Sequence, residues 1–399
     1  MKIALTNEFK QAIPLLLHLK EHGFQAYFVG GSVRDVLLHR SKHDVDITTD
    51  AKPNEMKAIF KTANHYSGEK HGTVLIFFAG SNYEVTTFRI DGQYLDNRHP
   101  ETVSFTKNLQ DDLSRRDFTI NAFAVNEEGE LFDYFDGLND LKNHIIKTVG
   151  QAETRFSEDA LRILRAFRFS SQLNFEIEEK TLLAGAKIKN NLADIAVERI
   201  FSEFSKLLSG DNPSKSLKQM LLLGITDYLP GHQLINDPSA LFTGFTGIQS
   251  TIDAINWTRF VWFSHLRGEK LNQYLDCWKM SNHLKTQIIK SVNFLSKKTV
   301  DNLDLFTIGS DIAIALSAIS RPDQNELKQR YEKLIIHEVS ELQITGFDLK
   351  KIGIPSGPIF GKIIRNLRKK VILEQLANQK TVLIQEAKND FSNLGTIKK

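Results

Sequence analysis

Two groups of residues carry the chemistry of this chain. Gly30-Gly31-Ser32-Val33-Arg34-Asp35 is a glycine turn with an arginine, and Asp44-Val45-Asp46 follows it with two carboxylates two residues apart. Backbone N–H groups freed where a strand turns into a helix bind phosphate oxygens, and Gly30 and Gly31 permit close approach because they lack a Cβ. Arg34 adds a charge-assisted fork for the same phosphates. In a strand, Asp44 and Asp46 fall on one face while Val45 and Ile47 take the other. Two acids held that close repel unless a cation lies between them, and magnesium takes carboxylate and phosphate oxygens. Together they suit magnesium-dependent nucleotidyl transfer. Neither group is specific alone. A tight turn uses the same glycines, a solvated strand face alternates the same way through Thr48 and Asp50, and the glycine spacing fits neither the Walker loop nor the dinucleotide fingerprint.

The elements that must position these groups are legible. Tyr27-Phe28-Val29 is a short apolar run ending at the two glycines, and Val33 to Arg40 has helical spacing. Further along, a helix is expected from Ser157. Phe156, Ala160, Ile163, Leu164 and Phe167 share an arc of about 100°, opposite Asp159, Arg162, Arg165 and Arg168. An aspartate accepts from the exocyclic amino group that cytosine and adenine share, while arginine donates to ring nitrogen or carbonyl oxygen. Such a pair can read cytosine and adenine and reject guanine and uracil. The bland alternative is a helix start: Ser157 as N-cap, Glu158 and Asp159 at the positive end, and arginines paired with them three or four residues on.

These motifs occur in a fixed order with His43-Asp44-Val45-Asp46-Ile47-Thr48, Arg115-Arg116-Asp117-Phe118-Thr119-Ile120-Asn121-Ala122, the run Arg155 to Phe169, and Glu198-Arg199-Ile200-Phe201-Ser202-Glu203. The set resembles the class II tRNA nucleotidyltransferases, the CCA-adding enzymes of the DNA polymerase β superfamily, over about the first half of the chain. The second half resembles that family only loosely. The resemblance implies an α+β fold, an N-terminal nucleotidyltransferase α/β head followed by an all-helical neck, body and tail. It assigns Asp44 and Asp46 as catalytic, metal-binding carboxylates for Mg2+. Gly31, Arg34, Arg116, Asp159, Arg162, Arg165 and Arg168 become nucleotide-binding residues, with Asp159 and Arg162 reading the base and Asn121 a weaker candidate. CTP and ATP are the implied substrates and tRNA the implied partner. The polar segment Asp91 to Pro100 corresponds to one linked in the family to switching between CTP and ATP.

Composition agrees with a globular protein: 41% of the residues are hydrophobic and 25% charged. A single cysteine, Cys277, excludes an internal disulfide framework and a cysteine-rich zinc site, and with the absence of a signal-like N-terminus it suggests a cytoplasmic protein with no membrane segment. A net charge of +3 identifies no nucleic-acid binder, so an RNA footprint must come from local clustering. Ile344 to Lys370 supplies one, with Lys350, Lys351, Lys362, Arg365, Arg368, Lys369 and Lys370 against Asp348 alone, and Gly357-Pro358 should open a helix there. The expected division is head 1–150, neck 151–212, body 213–322 and tRNA-binding tail 323–399. A homodimer is an admissible assembly that the sequence does not decide.

Rival readings are a poly(A) polymerase, a CC-adding enzyme and a non-catalytic RNA-binding relative. The arginine-rich strand usual in bacterial poly(A) polymerases is absent from Lys70 to Phe77, and the paired aspartates and Asp159 with Arg162 are intact. Glu84 is a candidate third carboxylate that sequence alone cannot place.

Overall fold

The computed structural model describes residues 1–40, 45–61, 71–92, 103–237, 245, 250–319 and 322–396. The chain divides into two compact units, one of Met1–Gln233, Leu241–Gln249 and Cys277–Lys279, the other of Leu234–Ala240, Ser250–Asp276 and Met280–Lys399. The expected head and neck thus fall in one unit.

The first unit begins with helix α1 (Asn7–Glu21), whose N-cap Thr6 accepts from the Phe9 N–H. Its Phe9 stacks on Phe28 of β1 (Ala26–Val29), with ring centroids 4.4 Å apart. The apolar run of β1 ends at Gly30, and α2 (Gly31–Leu37) starts at once, as the residue pattern requires. There follow β2 (Asp46–Thr49), α3 (Pro53–Ile59), β3 (Thr73–Phe78), β4 (Ser81–Thr87), β5 (Arg89–Asp91) and β6 (Val103–Phe105). Then come α4 (Leu109–Ser114), β7 (Phe123–Val125), β8 (Leu131–Asp133), α5 (Gly137–Lys142) and β9 (Ile145–Ile146). Six strands form one sheet in the order β3-β4-β2-β1-β7-β8, in which β2 and β4 run parallel and the other neighbours antiparallel. The β3–β4 hairpin turns through Ala79 and Gly80, both at positive φ (48° and 84°). That geometry matches the right-handed twist of the strands it joins. Val29, Phe88, Leu109, Leu113 and Ala124 form a buried cluster behind the sheet.

Helices complete this unit: α6 (Ala152–Glu158), α7 (Leu161–Leu173), the short strand β10 (Glu176–Ile177), α8 (Glu179–Ile188), α9 (Val197–Leu208) and α10 (Pro213–Leu222). The expected single helix from Ser157 is two. Ser157 lies inside α6, and Asp159 is extended (φ −144°, ψ 102°) with its Oδ1 accepting from the Leu161 N–H at 3.1 Å. Aspartate competes with helix hydrogen bonds in this way, so it caps α7 and breaks the run. The apolar phase survives the break. Phe156, Ala160, Ile163, Leu164 and Phe167 are all buried, the larger ones contributing about 1.5–3 kcal/mol each.

In the second unit every element among the described residues is helical. It holds α11 (Asp253–Phe263), α12 (Gly268–Cys277, its last residue in the first unit), α13 (Asn282–Leu295), α14 (Asn302–Ile308), α15 (Ile312–Ala318) and α16 (Gln324–Glu332). The C-terminal elements are α17 (Gly346–Lys351), α18 (Pro358–Ile372) and α19 (Lys380–Thr396). Two apolar clusters lie inside it. Phe294, Leu305, Ile312 and Leu327 belong to one; Leu349, Ile363, Leu367, Val371 and Leu383 belong to the other. Pro358 occupies the first turn of α18 as expected. Of the expected breaks, that around Gly353 separates α17 from α18, and Arg321 lies outside the described residues.

Candidate active site

The turn after β1 is shaped by Gly30 at φ 74° and ψ −141°, close to a region populated essentially by glycine, where a residue with a Cβ costs about 1–3 kcal/mol. Ser32 closes it by donating to the Val29 carbonyl at 2.8 Å. A Cβ on Gly30 would lie 2.9 Å from Arg116 Nη1 and 3.6 Å from Asp46 Oδ2, so guanidinium and carboxylate converge on the bare backbone there. On Gly31 the nearest atom to a Cβ would be Arg34 Nη2 at 3.5 Å, an ordinary contact. The steric demand at this turn therefore falls on Gly30, although the sequence reading named Gly31 as the site residue.

Asp46 is the exposed first residue of β2, and in the parallel register it stands opposite Glu84 of β4. Registered neighbours point to the same side of a sheet, so the two carboxylates share a face. Among the described residues no three acids, histidines or cysteines come close enough together to hold a metal. Asp44 lies outside the described residues. Asp46 and Glu84 are hard oxygen donors of the kind magnesium takes, so the residues present fit that ion.

Arg116 is anchored from below by Asp112, a fully buried carboxylate. Asp112 also binds Arg115 at 2.7 Å, the Arg89 N–H at 3.3 Å and the Thr48 hydroxyl at 3.4 Å. Burial pushes the Asp112 carboxyl up, but the two arginines outweigh it and hold it below the usual carboxylate range. Arg116 keeps a buried Nε with no hydrogen-bond partner. An orphaned cationic donor beside a glycine turn suits an anionic ligand. Sequence reasoning missed Asp112, although its spacing of three and four residues before the two arginines was a usable signal.

Arg34 is held by partners within the protein. Its side chain is turned into the protein, Nη1 donating to Asn121 Oδ1 at 2.6 Å and Nε and Nη2 to Asp35 Oδ1 at 2.9 and 2.8 Å. Its fork is thus occupied by the neighbouring carboxylate and a buried amide. It also lines a cavity of about 490 Å³ with Asp35, His39, Arg40, Gln172, Leu173 and the segment after α9.

Asn121 passes the connection on, its Nδ2 donating to Asp117 Oδ1 at 3.0 Å. The other oxygen of Asp117 takes Arg165 through Nε at 2.7 Å and Nη2 at 2.6 Å. Burial opposes ionisation of Asp117, yet Arg165 and the Asn121 amide hold its carboxyl far below the ordinary carboxylate range. Arg165 reaches Glu203 at 3.6 Å and Arg168 reaches it at 3.0 Å. Burial, reinforced by Arg165, lowers Arg168 to about 10, so it stays charged at neutral pH.

Asp159 and Arg162 carry other partners as well. Asp159 Oδ2 binds Arg199 at 2.8 Å, and Arg162 binds Glu158 at 2.6 Å, four residues back, as the helix-pairing alternative anticipated. Arg162 Nη2 also donates to the Arg115 carbonyl at 3.2 Å, which brings the α7 side of the site against the Arg115-Arg116 segment. The roles of Arg199, Glu203 and Asp117 as partners were not legible from spacing, since each pairs with a residue more than thirty positions away. Of the segment Asp91 to Pro100, all beyond Gly92 lies outside the described residues.

In the second unit the basic cluster is smaller than its sequence count. Lys370 binds Glu386 and Asp390, Arg368 sits 5.5 Å over Phe306, and Asp348 is paired with Lys380 at 2.7 Å. Lys362, Arg365 and Lys369 are exposed on α18. At 100° per residue they fall within about 60°, opposite buried Leu367 and Val371. No helix among the described residues is long and apolar enough to cross a membrane.

A glycine turn, sheet-face carboxylates and a half-buried arginine at their junction define a nucleotidyltransferase head. Residues 26–147 match the family model described as Poly A polymerase head domain. Residues 174–235 match the family model described as Probable RNA and SrmB-binding site of polymerase A, and residues 248–387 the one described as tRNA nucleotidyltransferase domain 2 putative. The CCA-adding enzyme of Lactobacillus delbrueckii subsp. bulgaricus is 41% identical over 96% of this chain and 98% of its own. That of Ligilactobacillus salivarius is 41% identical over 96% and 97%. The solved Bacillus stearothermophilus CCA-adding enzyme in complex with CTP superimposes with a TM-score of 0.83 at 32% identity, covering 98% of this chain and all of that one. The chain belongs to the CCA-adding enzyme family and is a nucleotidyltransferase.

Proposed function

We propose that this enzyme adds and repairs the 3′-terminal CCA of tRNA from CTP and ATP without a nucleic-acid template. The observation that carries the reading is the convergence of Asp46 and Arg116 on Gly30, with Arg162 hydrogen-bonded to the adjoining Arg115 carbonyl. That proximity supports assigning the phosphate-binding, metal-binding and base-reading roles to one site. The match to a relative solved with CTP supports the substrate class.

In the reaction the tRNA 3′-oxygen forms a bond to the nucleotide α-phosphorus, and the bond to the β-phosphate oxygen breaks to release pyrophosphate. Asp44 and Asp46, with Glu84 opposite Asp46, would hold magnesium, which would supply charge neutralisation and a more acidic 3′-hydroxyl. Gly30 and Gly31 let the triphosphate approach the backbone, and the Arg116 guanidinium, whose Nη1 faces Gly30, donates to it. Arg34 braces the turn through Asp35 and Asn121. Asp159 and Arg162 select the base, which requires them to exchange Arg199 and Glu158 for the nucleobase. Arg165 and Arg168 hold that pair's helix in place. Lys362, Arg365 and Lys369 of the tail contact tRNA phosphates.

Incubating the protein and Mg2+ with a tRNA ending at its discriminator base tests this, with CTP, ATP or both and products resolved to single nucleotides. Addition of C, C and one A is expected. A long A ladder from ATP alone, a stop after CC, or no extension would each overturn the proposal.

A further inference from the structure

We infer that Phe169 is a positioning residue that clamps the arginines of the head and of helix α7 into one geometry and so sets nucleotide selectivity. The inference rests on the proposed roles of Arg34, Arg165 and Arg168. The guanidinium carbon of Arg168 lies 4.1 Å from the centroid of the Phe169 ring, that of Arg34 4.9 Å and that of Arg165 5.5 Å. Arg34 comes from α2, directly after the phosphate-binding turn, whereas the other two come from α7. The ring is therefore where the triphosphate side and the base side of the site meet. It is itself fixed, 5% exposed and edge-on to Phe118 at 5.7 Å.

Three cations brought to one ring repel one another. Asp35, Asp117 and Glu203 neutralise them from their outer sides. On the side the three guanidinium groups share, the negative face of the aromatic ring supplies attraction. An aliphatic residue of similar size fills the space without that attraction, leaving the three charges free to spread. The effect of Phe169 on chemistry runs through the three arginines stacked on its ring.

The test keeps the shape and removes the charge distribution. Phe169 is replaced by 4-fluoro-, 3,5-difluoro- and 3,4,5-trifluorophenylalanine in the full chain, and kcat and KM for CTP and the rate of UTP misincorporation are measured on tRNA. Melting temperature is recorded for each. Stepwise loss of kcat/KM is expected, reaching about tenfold at the trifluoro ring, with UTP misincorporation rising and the melting temperature nearly constant. Phe169→Leu should move selectivity in the same direction. Normal wild-type activity with selectivity and kcat/KM flat across the fluorinated series would overturn the inference alone. A fall in melting temperature without any change in nucleotide choice would reduce Phe169 to packing. A wild-type protein that adds no nucleotide would overturn the functional reading and this inference with it.

Discussion

Replacing Asp117 by asparagine isolates the buried link between the head and α7. The substitution keeps the side chain's shape and the oxygen that accepts from the Phe118 N–H at 2.8 Å and from Asn121 at 3.0 Å. The oxygen that holds Arg165 at 2.6 Å becomes an NH2 group, so donor faces donor. Removing one partner of a buried pair costs about 3–5 kcal/mol. Arg165 is 31% exposed and retains Glu203 at 3.6 Å, which reduces the expected loss to about 2–3 kcal/mol. For a unit of this size that is a fall in melting temperature of roughly 4–12 °C, read by calorimetry at neutral pH. The pH dependence gives a second reading. The folded Asp117 binds its proton more weakly than in the unfolded chain, whose reference value is 3.8. Its stabilisation is complete above that value and disappears as pH falls toward the lower folded pKa. The gap between wild type and variant should therefore begin to narrow below about pH 4 and close only as pH approaches the lower folded pKa. An indistinguishable melting temperature at pH 7, or a gap that persists undiminished in acid, would refute the assignment of this stabilisation to the ionised pair.

Gly30→Ala should cost about 1–3 kcal/mol from its positive-φ backbone and displace Arg116 as well. Nucleotide incorporation should then fall far more than a melt of a few degrees accounts for. Gly31→Ala, where the nearest atom is at ordinary contact distance, should be milder in both assays. Glu84→Gln should abolish or strongly depress incorporation of both CTP and ATP while leaving tRNA affinity near wild type; full turnover would remove Glu84 from the metal site. Substituting Lys362, Arg365 and Lys369 together by alanine should weaken tRNA binding and lower the slope of log K against log salt by about 2–3, since each phosphate contact contributes about 0.7–0.9. An unchanged slope would leave that face merely solvated.

The parts of the fold governed by local rules were legible in the sequence. An apolar run ending at Gly30 gives β1 and α2, and Gly357-Pro358 gives the start of α18. The arc from Phe156 to Phe167 marked a buried face correctly but concealed the break at Asp159, because the apolar phase is the same on both sides of it. Side-chain roles were harder. Residue type identifies a donor such as Arg34, but its actual partners depend on Asn121, eighty-seven positions away, and on the ring of Phe169. The tail illustrates the same limit. Counting charges overstated its free basicity, since Lys370 finds acids sixteen and twenty residues later. Glu84 lies beside Asp46 only because β4 joins β2 in parallel, a register that spacing along the chain does not reveal.

That parallel register also bears on the order in which the protein assembles. The β3–β4 hairpin, closed by Ala79 and Gly80, pairs neighbours in the chain and belongs to a class that forms in about 1–10 μs. Joining β4 to β2 closes a much longer loop, and such pairings are entropically late. A partly folded chain can therefore own its phosphate-binding turn before Glu84 has reached Asp46. On the proposed metal-site role of Glu84, nucleotide incorporation should return later in refolding than the helix signal, once that hairpin has docked.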